Sequence, residues 1–161
     1  MAPLIILAIV TLVLFVAGAA GIRWLRPWPV AVRGGLAAMF VATGVAHFVG
    51  MRAELIRMVP PGLPAPDLLI TVTGVLELMG AVGLMWTRTA PWAAGGLSAL
   101  LLAMFPANVY AALEGLSPAP EDRLLPRSAM QVVFLAATLA VVGHYLRARA
   151  AGQRARRVPV R

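Results

Sequence analysis

Five apolar segments of about twenty residues, separated by short polar connections, dominate this sequence of 161 residues. A helix of about 20 apolar residues crosses the hydrocarbon core of a bilayer, which is ~30 Å thick. The composition agrees, because 61% of the residues are hydrophobic and only 12% are charged, a balance unlike that of water-soluble domains. The sequence therefore predicts one all-α domain, a multi-pass transmembrane helical bundle. The predicted spans are Pro3–Ile22, Val30–Gly50, Leu68–Trp86, Trp92–Leu113 and Arg127–Leu146.

Arginine placement predicts the orientation of these spans. The connections after the second and fourth spans carry four arginines, and the other ten lie on the opposite side, six of them in the last fifteen residues. By the positive-inside rule, the C-terminus is then cytoplasmic and the N-terminus outside. Arg23 and Arg26 follow the first span and no basic residue precedes it, so we expect a retained helix and not a cleaved signal peptide. Tryptophans mark the span ends, at Trp24, Trp28, Trp86 and Trp92.

The composition also excludes several classes of function. Without cysteine, the chain forms no disulfide, iron–sulfur cluster or covalent c-type haem. All fourteen basic residues are arginines placed between or after the apolar segments, which suits lipid headgroups better than a nucleic acid. His47 and His144 fall near opposite ends of their spans, and the predicted core holds one carboxylate. We therefore expect no metal site within the bundle, while a metal shared with a partner subunit stays open.

A few polar side chains lie inside the predicted spans. Glu77 is about nine residues, or roughly 14 Å, into the third span, on a face of small and polar neighbours. His47 is about one turn from the outer end of the second span, and the last two spans carry Asn108, Arg127 and Gln131 in their outer halves. Because such groups in a membrane usually face a protein interior or a cavity, they predict an outward-facing polar pocket. A purely structural hydrogen-bond network is the alternative.

The connection between the second and third spans combines charged residues with four prolines. We expect residues 51–58 to form a short interfacial helix whose arginines reach lipid headgroups. Residues 60–66 are expected to be a stiff extended segment, and Asp67 stands where the N-cap of the third span belongs. We interpret the connection as a lid over the pocket, with candidate lid residues Arg52, Arg57, Pro60 and Pro61.

Small residues predict where the helices approach one another. In lipid, helix association depends on close packing more than on a hydrophobic drive, so glycine and alanine stripes are packing faces. These stripes comprise Gly34, Ala38, Ala42 and Ala46 in the second span and Gly74, Gly80, Ala81 and Gly83 in the third.

Several of these motifs together resemble the DoxX family of small bacterial integral membrane proteins. The matching segments are RGGLAAMFVATGVAHF at 33–48, MVPP at 58–61, TGVLEL at 73–78, MFPAN at 104–108 and the Arg127–Gln131 spacing. The resemblance covers about residues 33–146 and implies a four-helix membrane core, which we assign to residues 30–146. The additional transmembrane helix and connection at 1–29 and the arginine-rich cytoplasmic tail at 147–161 lie outside the resemblance and follow from the apolar spans and the arginine pattern. The resemblance also implies a bacterial plasma-membrane location and a family polar set of Arg33, His47, Glu77, Asn108 and Gln131. We therefore include Arg33 among the candidate pocket residues.

The resemblance links the chain loosely to thiosulfate:quinone oxidoreduction and to redox complexes. Our first hypothesis is a redox-linked accessory subunit whose pocket holds a quinone-like ligand, with electrons supplied by a partner subunit. Any enzymatic role would belong to that complex and not to this chain alone. A non-enzymatic assembly or chaperone-like protein with a structural polar core is the alternative, and a small-molecule transporter that works as a homo-oligomer comes third.

Overall fold

The computed structural model describes residues 1–116, 119–120 and 123–157, with side chains placed through Gln153. Every regular secondary-structure element within the described residues is a helix, and none is a strand. Five of the helices are long and apolar enough to cross a membrane, which confirms the predicted all-α multi-pass bundle. The elements are α1 (Ala2–Ala19), a 3₁₀ turn (Arg23–Leu25), α2 (Trp28–Ala46), α3 (Arg52–Met58), α4 (Pro66–Leu84), α5 (Ala90–Leu113) and α6 (Leu124–Arg157).

Four of the long helices enclose the core, and α1 packs against its side, where it contributes Leu7. Contacts join α2 to α4, α4 to α5, α5 to α6 and α6 back to α2, while α1 packs mainly on α2. Large side chains from all four helices fill the centre, among them Phe40, Leu84, Leu97 and Val141. The apolar outer surfaces of the helices face away from this core, and on α1 only Leu7 and Gly18 are buried. A surface of this kind is stable in lipid and not in water, so the chain is an integral membrane protein.

The last helix is longer than the sequence predicted. It begins at Leu124 and runs for 34 residues to Arg157, roughly 51 Å, well beyond the ~30 Å of the hydrocarbon core. The segment from 147 to 157, predicted as a separate tail, therefore continues α6. Its alanine, arginine and glutamine residues are strong helix formers, and no proline interrupts them before Pro159. The remainder of the predicted tail, residues 158–161, lies outside the described residues.

The connection between α2 and α4 confirms one expectation and corrects two. The short helix is present as α3. The proline-rich segment is not extended throughout, because the Leu63 amide donates to the Pro60 carbonyl (3.0 Å) and closes a turn. The N-cap of α4 is Ala65, in the left-handed region (φ 52°), and not Asp67. Pro66 occupies the first helical position, where its missing N–H is not needed, and this shifts Asp67 into the first turn.

Side-chain contacts define the two ends of the bundle. At one end the Trp28 ring lies 5.3 Å from the His144 ring, which sets the start of α2 level with the late part of α6. We call this the basic end. The other end carries α3, which packs against α4 and α5, and we call it the α3 end.

Candidate functional site

A buried cluster of three polar side chains joins α2 to α4. The Thr43 hydroxyl donates a hydrogen bond to Oε2 of Glu77 (2.6 Å), and Nδ1 of His47 lies 4.0 Å from the same oxygen. His47 and Glu77 are only 4% and 3% exposed. The sequence predicted both as pocket residues, and the structure places them together.

The backbone sets the tautomer of His47. Its Nδ1 lies 2.8 Å from the carbonyl oxygen of Thr43, one helical turn back. Because a carbonyl only accepts, Nδ1 carries the proton and donates it. In the neutral imidazole, Nε2 is then an acceptor, and in the protonated ring it becomes a second donor.

Two atoms of this cluster keep unused hydrogen-bonding capacity. Within residues 1–116, 119–120 and 123–157, no hydrogen bond reaches Nε2 of His47 or Oε1 of Glu77. The Thr11 hydroxyl is the one side-chain polar atom in this part of the chain that is both fully buried and unpartnered, so the other two retain accessible surface. The cluster therefore presents one nitrogen and one oxygen to a further group.

Two glycines allow α2 and α4 to approach closely enough to form this cluster. A Cβ added to Gly74 would lie 2.6 Å from Cβ of His47, and one added to Gly44 would lie 2.9 Å from the Leu78 side chain. The Gly74 contact is closer than real Cβ atoms approach, so this position requires glycine, whereas at Gly44 the Leu78 side chain would have to shift. The sequence predicted a packing role for Gly74 but not for Gly44.

His47 lies deeper than the sequence predicted, at a level close to the predicted depth of Glu77. His47 packs against Gly74, which is eight residues after the start of α4, or roughly 12 Å along the helix. Helix α2 thus ends well short of the level at which α4 begins. Helix α3 occupies the space beyond the end of α2 and contacts both α4 and α5. That α3 acts as a lid over a pocket stays a prediction.

Arg52 fastens α3 to its neighbours through protein contacts, whereas the sequence predicted that it reaches lipid headgroups. Its guanidinium donates to the His47 carbonyl (3.2 Å), the Asp67 carbonyl (3.2 Å) and the Thr71 hydroxyl (3.1 Å). It also lies 3.7 Å from Oδ1 of Asp67. The last carbonyls of α2 lack helical partners, so a cation at that end is favourable. One side chain therefore ties α3 to the end of α2 and the start of α4.

The other predicted lid residues make fewer contacts that hold the α2–α4 connection to the bundle. Arg57 is exposed and makes no hydrogen bond or ion pair with any described residue. Pro60 is half-buried and Pro61 exposed, at the start of the turn between α3 and α4. Met58 links the lid to α6 through a 3.9 Å contact between its sulfur and Nη1 of Arg127.

A second polar group joins α5 to α6 at the α3 end. Nη1 of Arg127 donates to Oδ1 of Asn108 (3.2 Å). One turn further along α6, Gln131 is buried and its amide donates to the Leu101 carbonyl (2.7 Å), next to the carbonyl that Pro106 leaves without its helical donor. The structure thus pairs Arg127 with Asn108, and Gln131 forms a hydrogen bond with the backbone of α5.

Arg33 does not belong to the pocket. It lies near the start of α2, fourteen residues or roughly 21 Å from His47, at the basic end. Its guanidinium donates to the carbonyls of Leu84 and Met85 and to the Tyr145 hydroxyl, each at 2.6 Å. Arg33 therefore caps the last turn of α4, where the backbone carbonyls attract a cation.

The structure also shows polar residues that were not predicted as site residues. Thr43 completes the cluster, and its position four residues before His47 was the available signal. Ser98 donates to Thr138 (2.8 Å) in the core between α5 and α6, a contact between distant segments that spacing along one helix cannot reveal.

A protein-family model matches residues 36–142, which include His47, Glu77 and every residue of the second polar group. That family is described as Domain of unknown function (DUF8561). The chain belongs to this family. Residues 1–35, with Arg33, and residues 143–161 lie outside the match. No curated protein and no solved structure matches the chain.

The site of this DUF8561 protein suits proton-coupled hydrogen bonding. In the described part of the chain, no three histidine, cysteine or carboxylate side chains lie close enough together to hold a metal ion. The cluster instead offers an imidazole nitrogen beside a carboxylate oxygen, a pair that can accept one proton and donate another. A ligand with a carbonyl or hydroxyl group complements such a pair.

Proposed function

We propose that this DUF8561 protein is a membrane subunit that holds a small lipophilic, quinone-like ligand between α2 and α4, beneath α3. The observation that carries the proposal is the buried His47–Glu77 pair, whose Nε2 and Oε1 form no hydrogen bond with any described residue. An ionisable pair inside a membrane is costly, and such pairs commonly mark a ligand or proton site.

The proposed chemistry is proton exchange with the ligand head. Neutral His47 accepts a hydrogen bond from a quinol hydroxyl at Nε2, and protonated His47 donates one to a quinone carbonyl. Reduction of a quinone to a quinol takes two electrons and two protons. His47 and Glu77 exchange the protons with the ligand, and a redox partner subunit supplies the electrons.

The resemblance to the DoxX family supports this role and adds a location. We propose that the protein lies in the bacterial plasma membrane, with the α3 end outside and the C-terminus cytoplasmic. In the described part of the chain, nine of the fourteen arginines lie at the basic end or farther along α6, which supports this orientation under the positive-inside rule.

Native mass spectrometry of the protein extracted in mild detergent tests the proposal. We expect a bound lipophilic molecule in the wild type, and its loss in His47→Ala and in Glu77→Gln. Glu54→Gln is the matched control, because Glu54 is an exposed carboxylate on α3. A wild-type protein without ligand, or equal retention in all variants, would contradict the proposal.

A structural polar core is the second candidate, and the hydrogen bonds of Arg33, Gln131 and Ser98 favour it. These three side chains bind backbone or another helix. If His47 and Glu77 act in the same way, their substitution lowers thermal stability and leaves ligand content unchanged. Measuring both quantities on the same samples separates the two functions.

A further inference from the structure

The basic end carries a ring of exposed arginines and tryptophans. Contacts of Arg33 with Leu84, Met85 and Tyr145 hold the start of α2, the end of α4 and the late part of α6 at one level. The nearby connections and the next turn of α6 supply the exposed side chains. We call them the basic rim, which consists of Arg23, Arg26, Arg88, Arg147 and Arg149 with Trp24, Trp28, Trp86 and Trp92.

This rim has no acidic residue to pair with. Residues 1–53, 78–113 and 123–161 contain no aspartate or glutamate. In the described part of the chain, none of the five rim arginines makes a side-chain hydrogen bond or ion pair. The α3 end differs, since Arg52 lies 3.7 Å from Asp67 there. No acidic side chain of the described residues compensates the rim arginines, which leaves them available to a counter-charge from outside the chain.

The tryptophans indicate where that counter-charge lies. All four belong to the basic rim, and Trp24 and Trp92 are 72% and 74% exposed. An exposed indole next to a transmembrane helix favours the headgroup level of the bilayer. Arginine forms bidentate hydrogen bonds with phosphate, the group that every phospholipid carries at that level.

We propose that the basic rim binds the headgroups of anionic phospholipids in preference to zwitterionic ones. Zwitterionic headgroups carry their own cation, so they leave the arginines without net compensation, whereas anionic headgroups neutralise them. The residues involved are separate from the His47–Glu77 cluster. The proposal thus holds or fails independently of the proposed quinone-like ligand.

Tryptophan fluorescence tests this directly, because every tryptophan of the chain reports on the basic rim. The full-length protein is reconstituted into vesicles of phosphatidylglycerol and phosphatidylcholine, with brominated acyl chains on one lipid and then, in a mirror mixture, on the other. Bromine quenches only nearby tryptophans. We expect stronger quenching when phosphatidylglycerol is brominated, corresponding to about a threefold or greater preference, which falls as salt rises.

A matched pair of double variants locates the preference. Arg88→Gln with Arg147→Gln removes two rim charges and should reduce the preference at least twofold. Arg57→Gln with Arg123→Gln removes two exposed charges from the α3 end and should leave it unchanged. Equal quenching in the two mirror mixtures, or an equal loss in both double variants, would overturn the proposal. A third contrary result is that inorganic phosphate reverses the quenching more than chloride does at the same ionic strength. That result would indicate a site for soluble anions and would overturn the proposal.

Discussion

Nδ1 of His47 lies 4.0 Å from Oε2 of Glu77, and both side chains are almost completely buried between two membrane-spanning helices. Thr43 donates to that carboxylate oxygen and accepts from the imidazole through its backbone carbonyl. One threonine therefore orients both members of the pair. Nε2 of His47 and Oε1 of Glu77 form no hydrogen bond within the described part of the chain.

The coupling between Thr43 and Glu77 gives a first prediction. Thr43→Val removes the hydroxyl that donates to the carboxylate and keeps the side-chain shape, so it should destabilise the protein by ~1–3 kcal/mol. In a double-mutant cycle with Glu77→Leu, which removes the acceptor, the two changes should be non-additive by ~0.5 kcal/mol or more. Unfolding in detergent, followed by circular dichroism, provides the four free energies. Strict additivity would show that the 2.6 Å hydrogen bond contributes nothing.

Close approach of α2 and α4 gives a second prediction. Gly74→Ala places a methyl group 2.6 Å from Cβ of His47 and should destabilise the protein by ~1–3 kcal/mol. Gly95→Ala is the control, because nothing lies within 4 Å of its added Cβ. Alanine is the better helix former, so the control should be neutral or more stable by up to ~1 kcal/mol. Equal effects of the two substitutions on the unfolding midpoint would argue against the observed packing.

The Arg33 cap gives a third prediction. Arg33→Gln loses charge-assisted hydrogen bonds to the end of α4 and should destabilise the protein by ~2–4 kcal/mol. Arg33→Lys should recover only part of this, because an ammonium group lacks the planar fork that reaches three acceptors. Ligand content should not change in either variant, since Arg33 lies at the end opposite His47. If Arg33→Gln lost the ligand without losing stability, Arg33 would have to contribute to the ligand site, which contradicts this account.

The fastening of α3 gives a fourth prediction. Arg52→Ala removes the bonds from α3 to His47, Asp67 and Thr71, so α3 should detach more often. Hydrogen exchange of the α3 amides should accelerate about tenfold, with little change in α5, as expected when one locally unfolding unit loses its contacts. Arg57→Ala should leave exchange unchanged, because Arg57 makes no contact of this kind with described residues. Equal hydrogen-exchange rates of the α3 amides in the two variants would show that Arg52 does not hold α3 in place.

Apolar segment length was enough to predict the five spans and their order, because the bilayer imposes one dominant constraint on each. The hydrogen-bond partners of the polar side chains inside these spans were harder to predict. The helix positions of Glu77 and His47 placed both toward the interior, whereas Arg33 was assigned to the same site although its own span put it at the other end. Its true partners, the carbonyls of Leu84 and Met85, carry no signal in side-chain identity.

The connection to α4 shows a related limit. Charge and position predicted that Arg52 would reach headgroups, yet its partners include two backbone carbonyls whose proximity depends on where α2 stops. The early end of α2 relative to α4 is a tertiary property. Likewise, Asp67 has the chemistry of an N-cap, but Pro66 just before it fixes the start of the helix.

The central claim is that the His47–Glu77 pair binds a quinone-like ligand. Its most direct test is an isothermal calorimetric titration of nanodisc-embedded protein with a short-chain quinone. The wild type and Glu54→Gln should bind with a micromolar dissociation constant, and His47→Ala and Glu77→Gln should bind at least about tenfold more weakly, the loss expected for one or two hydrogen bonds to a charged group. Equal binding by all four proteins, or no binding by the wild type, would contradict a ligand site at the His47–Glu77 pair.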